Sequence, residues 1–180
     1  IDVDTPYNRY FIFDTIDKKT KKPARVLQSF VTQSSMFLED DELVEEFFKF
    51  FRLSSYFAPN AQKALMVGGA AYSYPKDFLK KNPEAELDVI EIDPGVTAIA
   101  KKYFNLKDNS RLTIFHEDGR IFLNRALPKS YDVIFIDAFH SSFSVPYHLT
   151  TKETVQKIYD ALDDNGAVLV NILSAIEGKK

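Results

Sequence analysis

Four carboxylates stand where an apolar run gives out: Glu91, Asp93, Asp118 and Asp137. Each is placed to accept hydrogen bonds from a ligand, to cap a helix or to take a proton. Glu91 interrupts Val89-Ile90-Glu91-Ile92, where Val or Ile would be natural. A carboxylate at that point can accept from both hydroxyls of a ribose, as dinucleotide folds do with an acid ~20 residues after a glycine turn. Gly68-Gly69 offers such a turn after Ala64-Leu65-Met66-Val67. Neither glycine has a Cβ to clash, so the dipeptide reads either as a ligand loop or as a structural turn. Asp118 can accept from an adenine amino group or cap the helix that follows it. Asp93 reads first as a cap, with Pro94 at the first helical position. Asp137 ends Val133-Ile134-Phe135-Ile136. Burying a carboxylate there without a partner would be costly, so Asp137 is read as functional.

These carboxylates need a frame that gathers strand ends. Ala64–Val67, Leu87–Asp93, Leu112–His116, Tyr131–Asp137 and Ala167–Leu173 read as strands. Between them fall Ser73–Lys81, a helix opened by Asp93-Pro94, Gly119–Leu127, and a helix opened by the capping-box spacing of Thr150 and Glu153. That last helix is expected to bury Val155, Ile158, Tyr159 and Leu162 and to end at Asn165-Gly166. The predicted fold class is α/β: a doubly wound, mostly parallel, Rossmann-like sheet whose ligand lies beyond the carboxyl ends of the strands. Ahead of it, Tyr7–Thr15 and Ala24–Val31 alternate like an antiparallel hairpin, with Lys18–Lys22 as its solvated tip. Asp41–Phe57 is helical by period, with Leu43, Phe47, Phe50, Phe51 and Phe57 on one broad face and Glu39–Glu42 at its N-terminus. The expected organisation is an N-terminal β-hairpin unit over 1–38, a linking helix over 39–60 and a Rossmann-like nucleoside-binding domain over 61–180.

Composition narrows the classes. The 180 residues are 45% hydrophobic and 27% charged, enough for one domain with a buried core. A net charge of −3 argues against nucleic acid as a partner. With no cysteine, disulfides, thiolate metal sites and cysteine nucleophiles are excluded. No metal site is expected, because His116, His140 and His148 show no ligand spacing. No apolar run reaches the ~18 residues of a membrane span. The expectation is a cytoplasmic protein with no membrane partner in this segment.

From Gly68 onward the chain resembles a class I S-adenosylmethionine-dependent methyltransferase fold, and more narrowly the spermidine synthase (polyamine aminopropyltransferase) family. The pieces that carry the likeness are Val67-Gly68-Gly69, Val89-Ile90-Glu91-Ile92-Asp93-Pro94, Asp118-Gly119-Arg120-Ile121-Phe122-Leu123 and Tyr131-Asp132-Val133-Ile134-Phe135-Ile136-Asp137. Asp4–Asn8 and Gln33 to Phe48 are similar to the family's N-terminal β-unit and linking helix, so the likeness covers nearly the whole chain. It implies that Gly68, Gly69, Glu91, Asp118 and Gly119 bind the nucleoside and that Asp137 is the catalytic aspartate. It implies a nucleoside donor, decarboxylated S-adenosylmethionine or S-adenosylmethionine as co-substrate, and a polyamine-type amine as acceptor. It also implies a possible homodimer through the N-terminal unit.

The departures from the family pattern fall on the amine side. Ala71 stands at a loop aspartate, His140 at a second aspartate, and Glu45-Glu46 at a tyrosine-histidine pair; His140 is carried as a second candidate base. A full fold of this class continues with another helix and two strands, whereas this chain stops at Lys180, so the expectation is a fragment or an abbreviated sheet. Three functions are held open: aminopropyl transfer, methyl transfer from S-adenosylmethionine, and a non-catalytic domain that binds a nucleoside or acts through assembly.

Overall fold

The computed structural model describes residues 1–30, 33–139 and 146–172. The first sheet is antiparallel, built from β1 (Asp2–Asp4), β2 (Arg9–Ile16), β3 (Pro23–Gln28) and β4 (Gln33–Phe37) in that order. The predicted hairpin is its central pair, in register from Phe11 opposite Gln28 to Ile16 opposite Pro23. Val31, expected in its second strand, lies outside the described residues. A hairpin alone is marginal in water; here Ile12, Leu27 and Met36 from the sheet join the core of the rest of the chain.

The linking segment differs from the single helix expected over 41–57. It forms two short helices, α1 (Glu46–Phe51) and α2 (Ser54–Phe57). Asp41 is left-handed at φ 57, and Leu43 bridges antiparallel to Met36, which holds the stretch before Glu46 out of the helix. The acidic run that suited a helix N-terminus serves tertiary contacts instead. Asp41 accepts from Asn105 at 2.9 Å. Arg52 donates to Glu42 at 2.8 Å and forks onto Asp77 at 2.9 and 2.6 Å. Leu43 and Phe51 of the predicted face are buried, and so is Phe48 beside it, but Phe50 and Phe57 are exposed. Long-range ion pairs have overridden local helical preference.

The second sheet is parallel. Its strands are β5 (Lys63–Val67), β6 (Glu86–Ile90), β7 (Leu112–Phe115), β8 (Tyr131–Ile136) and β9 (Leu162–Val170), in the order β7-β6-β5-β8-β9. The crossovers are α3 (Ser73–Lys81), α4 (Pro94–Tyr103), α5 (Gly119–Arg125) and α6 (Lys152–Ala161). Ala64, Leu65, Val133, Ile134 and Phe135 are 0% exposed, the continuous burial expected of central parallel strands. The chain leaves β5 toward β6 on one side and meets β8 on the other. A crevice therefore opens beyond the carboxyl end of β5, where Gly68 and Gly69 lie.

Two features near the end of the sheet differ from expectation. Thr151, not Thr150, caps α6, accepting from the Thr154 N–H at 3.3 Å; Thr150 instead donates to the Tyr147 carbonyl at 2.9 Å. The helix buries Thr154, Ile158 and Ala161, while Val155 and Tyr159 are exposed. Nor does Asn165-Gly166 cap it. The helix passes straight into β9 at Leu162, and the stretch 163–166 is an irregularity between the Tyr131–Leu162 and Val133–Ala167 pairs. The reason is that the last carbonyls of the helix already have donors: Lys129 N–H reaches Asp160 and Ser130 N–H reaches Ala161, each at 2.9 Å. Leu173, the expected end of this strand, lies outside the described residues. Among the described residues, no helix is long and apolar enough to cross a membrane.

The Arg52 fork onto buried Asp77 pins the linking segment against α3. Arg52→Leu strands the Asp77 carboxylate in the interior and is expected to lower unfolding stability by ~2–3 kcal/mol. Urea denaturation reads this as a lower midpoint at unchanged slope. A loss below ~0.5 kcal/mol would show that the pair does not anchor the segment.

Candidate active site

The loop after β5 is the tightest part of the site. Gly68 sits at φ +100, and a Cβ on it would lie 2.3 Å from the Asp137 carbonyl oxygen. Glycine is required there on both counts. Hydrogen bonds explain the closeness: Gly68 N–H donates to Ile90 O at 2.8 Å, and Asp137 N–H to Val67 O at 2.9 Å. Ala70 and Tyr72 also take left-handed φ values, 46 and 56, without being glycine. Such residues cost ~1 kcal/mol or more each unless the surroundings hold them. Here Glu91 holds the loop. Its Oε2 accepts from Gly69 N–H at 2.9 Å and Ala70 N–H at 3.1 Å, and its Oε1 from Asp93 N–H at 2.9 Å. A carboxylate offers about four acceptor positions, so Glu91 keeps one free for a ligand, not the pair that both ribose hydroxyls would need.

Asp93 caps α4, as expected, accepting from Gly95 N–H at 2.8 Å. Its other oxygen accepts from the Thr5 hydroxyl at 2.6 Å, a tie between the two sheets that the sequence did not signal. Tyr10 lies beside this pair. Burial, and then the charges of Asp93 and Glu91, push its phenol well above the usual range. Asp118 also proves to be a cap: one oxygen accepts from Arg120 and Ile121 N–H at 2.8 and 3.2 Å. The other lies 3.0 Å from His148 Nε2. Gly119 is constrained by packing, since a Cβ on it would meet Val67 at 2.7 Å.

Asp137 and Glu45 are both carboxyls that burial raises. Asp137 accepts from Asn171 Nδ2 at 2.8 Å. Although its side chain reaches the cavity, protein surrounds it, and burial pushes its carboxyl from 3.8 up to about 7. The Glu45 charge adds to the rise and the Asn171 hydrogen bond opposes it. Glu45 stands just before α1. Its carboxyl is also raised, first by burial, against hydrogen bonds that include those from Ser35 and Gln33. Ser35 occupies its Oε1, whereas Oε2 is buried with no partner.

These groups face one cavity of about 630 Å³ between the antiparallel sheet and the carboxyl ends of the parallel strands. The cavity gathers Gly68, Gly69, Glu91, Asp118, Gly119 and Asp137, all predicted from sequence. His140, also predicted, lies outside the described residues. Ala71 is fully buried and does not line the cavity; Ala70 does. Glu45, Ser34, Asn171 and His148 line it without having been singled out as site residues. Asn171 carried a readable signal, a polar residue breaking an apolar run as Glu91 does, and Glu45 stands out only as a departure from the family's tyrosine-histidine pair. Ser34 carried none.

A family model for the spermine/spermidine synthase domain matches residues 49–172. A polyamine aminopropyltransferase of Vibrio vulnificus is 32% identical over 120 residues, 66% of this chain and 40% of that protein. An eEF1A lysine and N-terminal methyltransferase of Xenopus laevis is 27% identical over 127 residues, 64% of this chain and 18% of that protein. A crystal structure of a probable spermidine synthase from Corynebacterium glutamicum superposes with a TM-score of 0.80 at 19% identity. It covers 94% of this chain and 62% of the other. The chain thus spans about two fifths of the length of its Vibrio relative.

The raised Asp137 carboxyl has a stability consequence. Between its ordinary value of 3.8 and about 7 the folded chain binds a proton that the unfolded chain has released. Stability from this group therefore falls as pH rises across that window. Asp137→Asn, which removes the buried charge, is expected to be more stable than the parent at about pH 8 and to lose that advantage toward about pH 5. Denaturation curves at both values check the sign; a parent more stable than the variant at the higher pH would contradict it.

Proposed function

The chain belongs to the spermine/spermidine synthase family, and on that premise we propose that it moves an aminopropyl group from decarboxylated S-adenosylmethionine to an amine. The observation that carries the reading is the charge of the cavity. Among the described residues, Glu45, Glu91, Asp93, Glu117, Asp118 and Asp137 line it, and no Lys or Arg does. The donor is a sulfonium with an ammonium tail, and the acceptor is a cation near neutrality. A wall of one sign attracts both. S-adenosylmethionine carries an additional carboxylate, and like charges brought together cost several kcal/mol in such a setting. The cavity thereby favours the decarboxylated donor.

The nucleoside lies along the Gly68–Ala70 loop. The remaining acceptor position of Glu91 takes one ribose hydroxyl, and the Asp118 oxygen beside His148 takes the adenine amino group. The amine nitrogen attacks the carbon next to sulfur. The N–C bond forms as the C–S bond breaks, sulfur keeps the electron pair, and methylthioadenosine leaves. An alkylammonium has a pKa of ~10 and is a poor nucleophile while protonated. Asp137, ionised above about 7, attracts the ammonium and takes one of its protons, so that the neutral amine attacks and the secondary ammonium it becomes keeps its two. Methyl transfer is the second reading, favoured by the Xenopus relative.

Calorimetry is expected to show decarboxylated S-adenosylmethionine and methylthioadenosine binding at least ~10-fold more tightly than S-adenosylmethionine. The opposite preference would move the assignment to methyl transfer. Asp137→Asn is expected to lower turnover by ~10²-fold or more with methylthioadenosine affinity nearly unchanged; full turnover in that variant would remove Asp137 from the chemistry.

A further inference from the structure

We propose that Tyr72 is a positioning residue for the nucleoside: tied to Thr97 on α4, it holds the Gly69–Ala70 turn on Glu91 and so sets the acceptor position left for the ribose. The inference rests on the nucleoside lying along this loop, and it adds the group that fixes the loop from behind. Tyr72 breaks two local rules. Its backbone is left-handed at φ 56, and it stands at the N-cap of α3 with no side-chain hydrogen bond to the helix. Glycine would take that conformation without strain, and Ser, Thr, Asp or Asn would cap the helix. Residues that break local rules gather at functional or strained sites. What tyrosine adds here is a ring and a hydroxyl. The ring is fully buried against Gly69, where a Cβ would lie 2.7 Å from its Cζ. The hydroxyl lies 2.8 Å from Thr97 Oγ1, and burial holds the phenol above its usual range.

These contacts close a circuit around Glu91. Gly69 and Ala70 N–H reach it from the loop, and Asp93 N–H reaches it from the start of α4. Thr97 lies one turn along that helix. From it Tyr72 returns to the loop, donating its own N–H to the Gly69 carbonyl at 2.8 Å. Loop and helix are thus fixed to each other on both sides of the carboxylate. Thr97, only 4% exposed, also lies 3.0 Å from His116 Nε2. His116 is exposed, so water can take its place, whereas Tyr72 is sealed from water by protein. Neither Tyr72 nor Thr97 lines the cavity. They act on the nucleoside through the backbone N–H groups of the loop and not by contact.

Methylthioadenosine is titrated calorimetrically into the parent chain and into Tyr72→Phe, Thr97→Val and Thr97→Ser. Tyr72→Phe and Thr97→Val break the link from its two ends, so either serves if the other fails to fold. Each is expected to weaken methylthioadenosine ~5-fold. Thr97→Ser keeps the hydroxyl and is expected within ~2-fold of the parent. The double variant Tyr72→Phe/Thr97→Val is expected to match the single ones and not their product. A role in stability alone leaves the affinity of the folded chain at the parent value, and that result overturns the proposal. Amide exchange at Gly69 and Ala70 is read without ligand, over times too short for the β8 amides to exchange. It is expected to be ~5-fold faster in Tyr72→Phe and Thr97→Val and at the parent rate in Thr97→Ser. Parent rates in every variant overturn the proposal as well. A parent chain that binds no methylthioadenosine overturns the placement of the nucleoside, while the exchange rates still decide whether Tyr72 holds the loop.

Discussion

One carboxylate, Glu91, holds the candidate site in its shape. Three backbone N–H groups converge on it, two from the loop after β5 and one from Asp93. Hydrogen bonds to an ionised acceptor are among the stronger ones. Together they offset the cost of burying the charge and of keeping Ala70 and Tyr72 in left-handed backbone. The Asp93 that Glu91 positions then caps α4 and accepts from Thr5. The antiparallel sheet is thus tied to the strand ends by the same small network, and the cavity has two walls because of it.

The second constraint is steric. With no Cβ on Gly68, the backbone at Asp137 comes close to the loop. This brings a carboxylate from β8 into the cavity that the loop borders. What distinguishes Asp137 from the other acids is how few donors it has. Glu91 and Asp118 each accept from at least two backbone N–H groups. Asp137 accepts from the Asn171 side chain alone among the described side chains, and it feels the charge of Glu45. Inside protein the effective dielectric is low, so a charge without enough donors shifts its pKa upward. The cavity therefore holds two kinds of acid: Glu91 and Asp118, satisfied by backbone N–H groups, and Asp137, with few donors of its own.

Much of this could be read from the chain alone, and the reason is local. The parallel strands announce themselves as unbroken apolar runs because both faces are covered. A polar residue breaking such a run must have a use, which is how Glu91 and Asp137 could be picked out. Asp93-Pro94 and Gly68-Gly69 are short-range signals of a cap and a turn, and both stand as read. The linking segment was less legible. Its phenylalanines have helical spacing, yet the Leu43 bridge to Met36 on β4 keeps the stretch before Glu46 out of the helix, and Arg52 is drawn to Asp77, 25 residues on.

The sequence by itself determined the strands of the parallel sheet and the acids at their ends, because periodicity, glycine and capping chemistry act over a few residues. Only the tertiary structure decided what those residues accept from. It placed backbone N–H groups on Glu91 and Asp118, set Thr5 on Asp93, and left Glu45 and Ser34 facing the cavity with open acceptors. Hydrogen-bond satisfaction and burial are properties of the whole packed chain. No window of sequence contains the partner that is 88 residues away, as Thr5 is from Asp93.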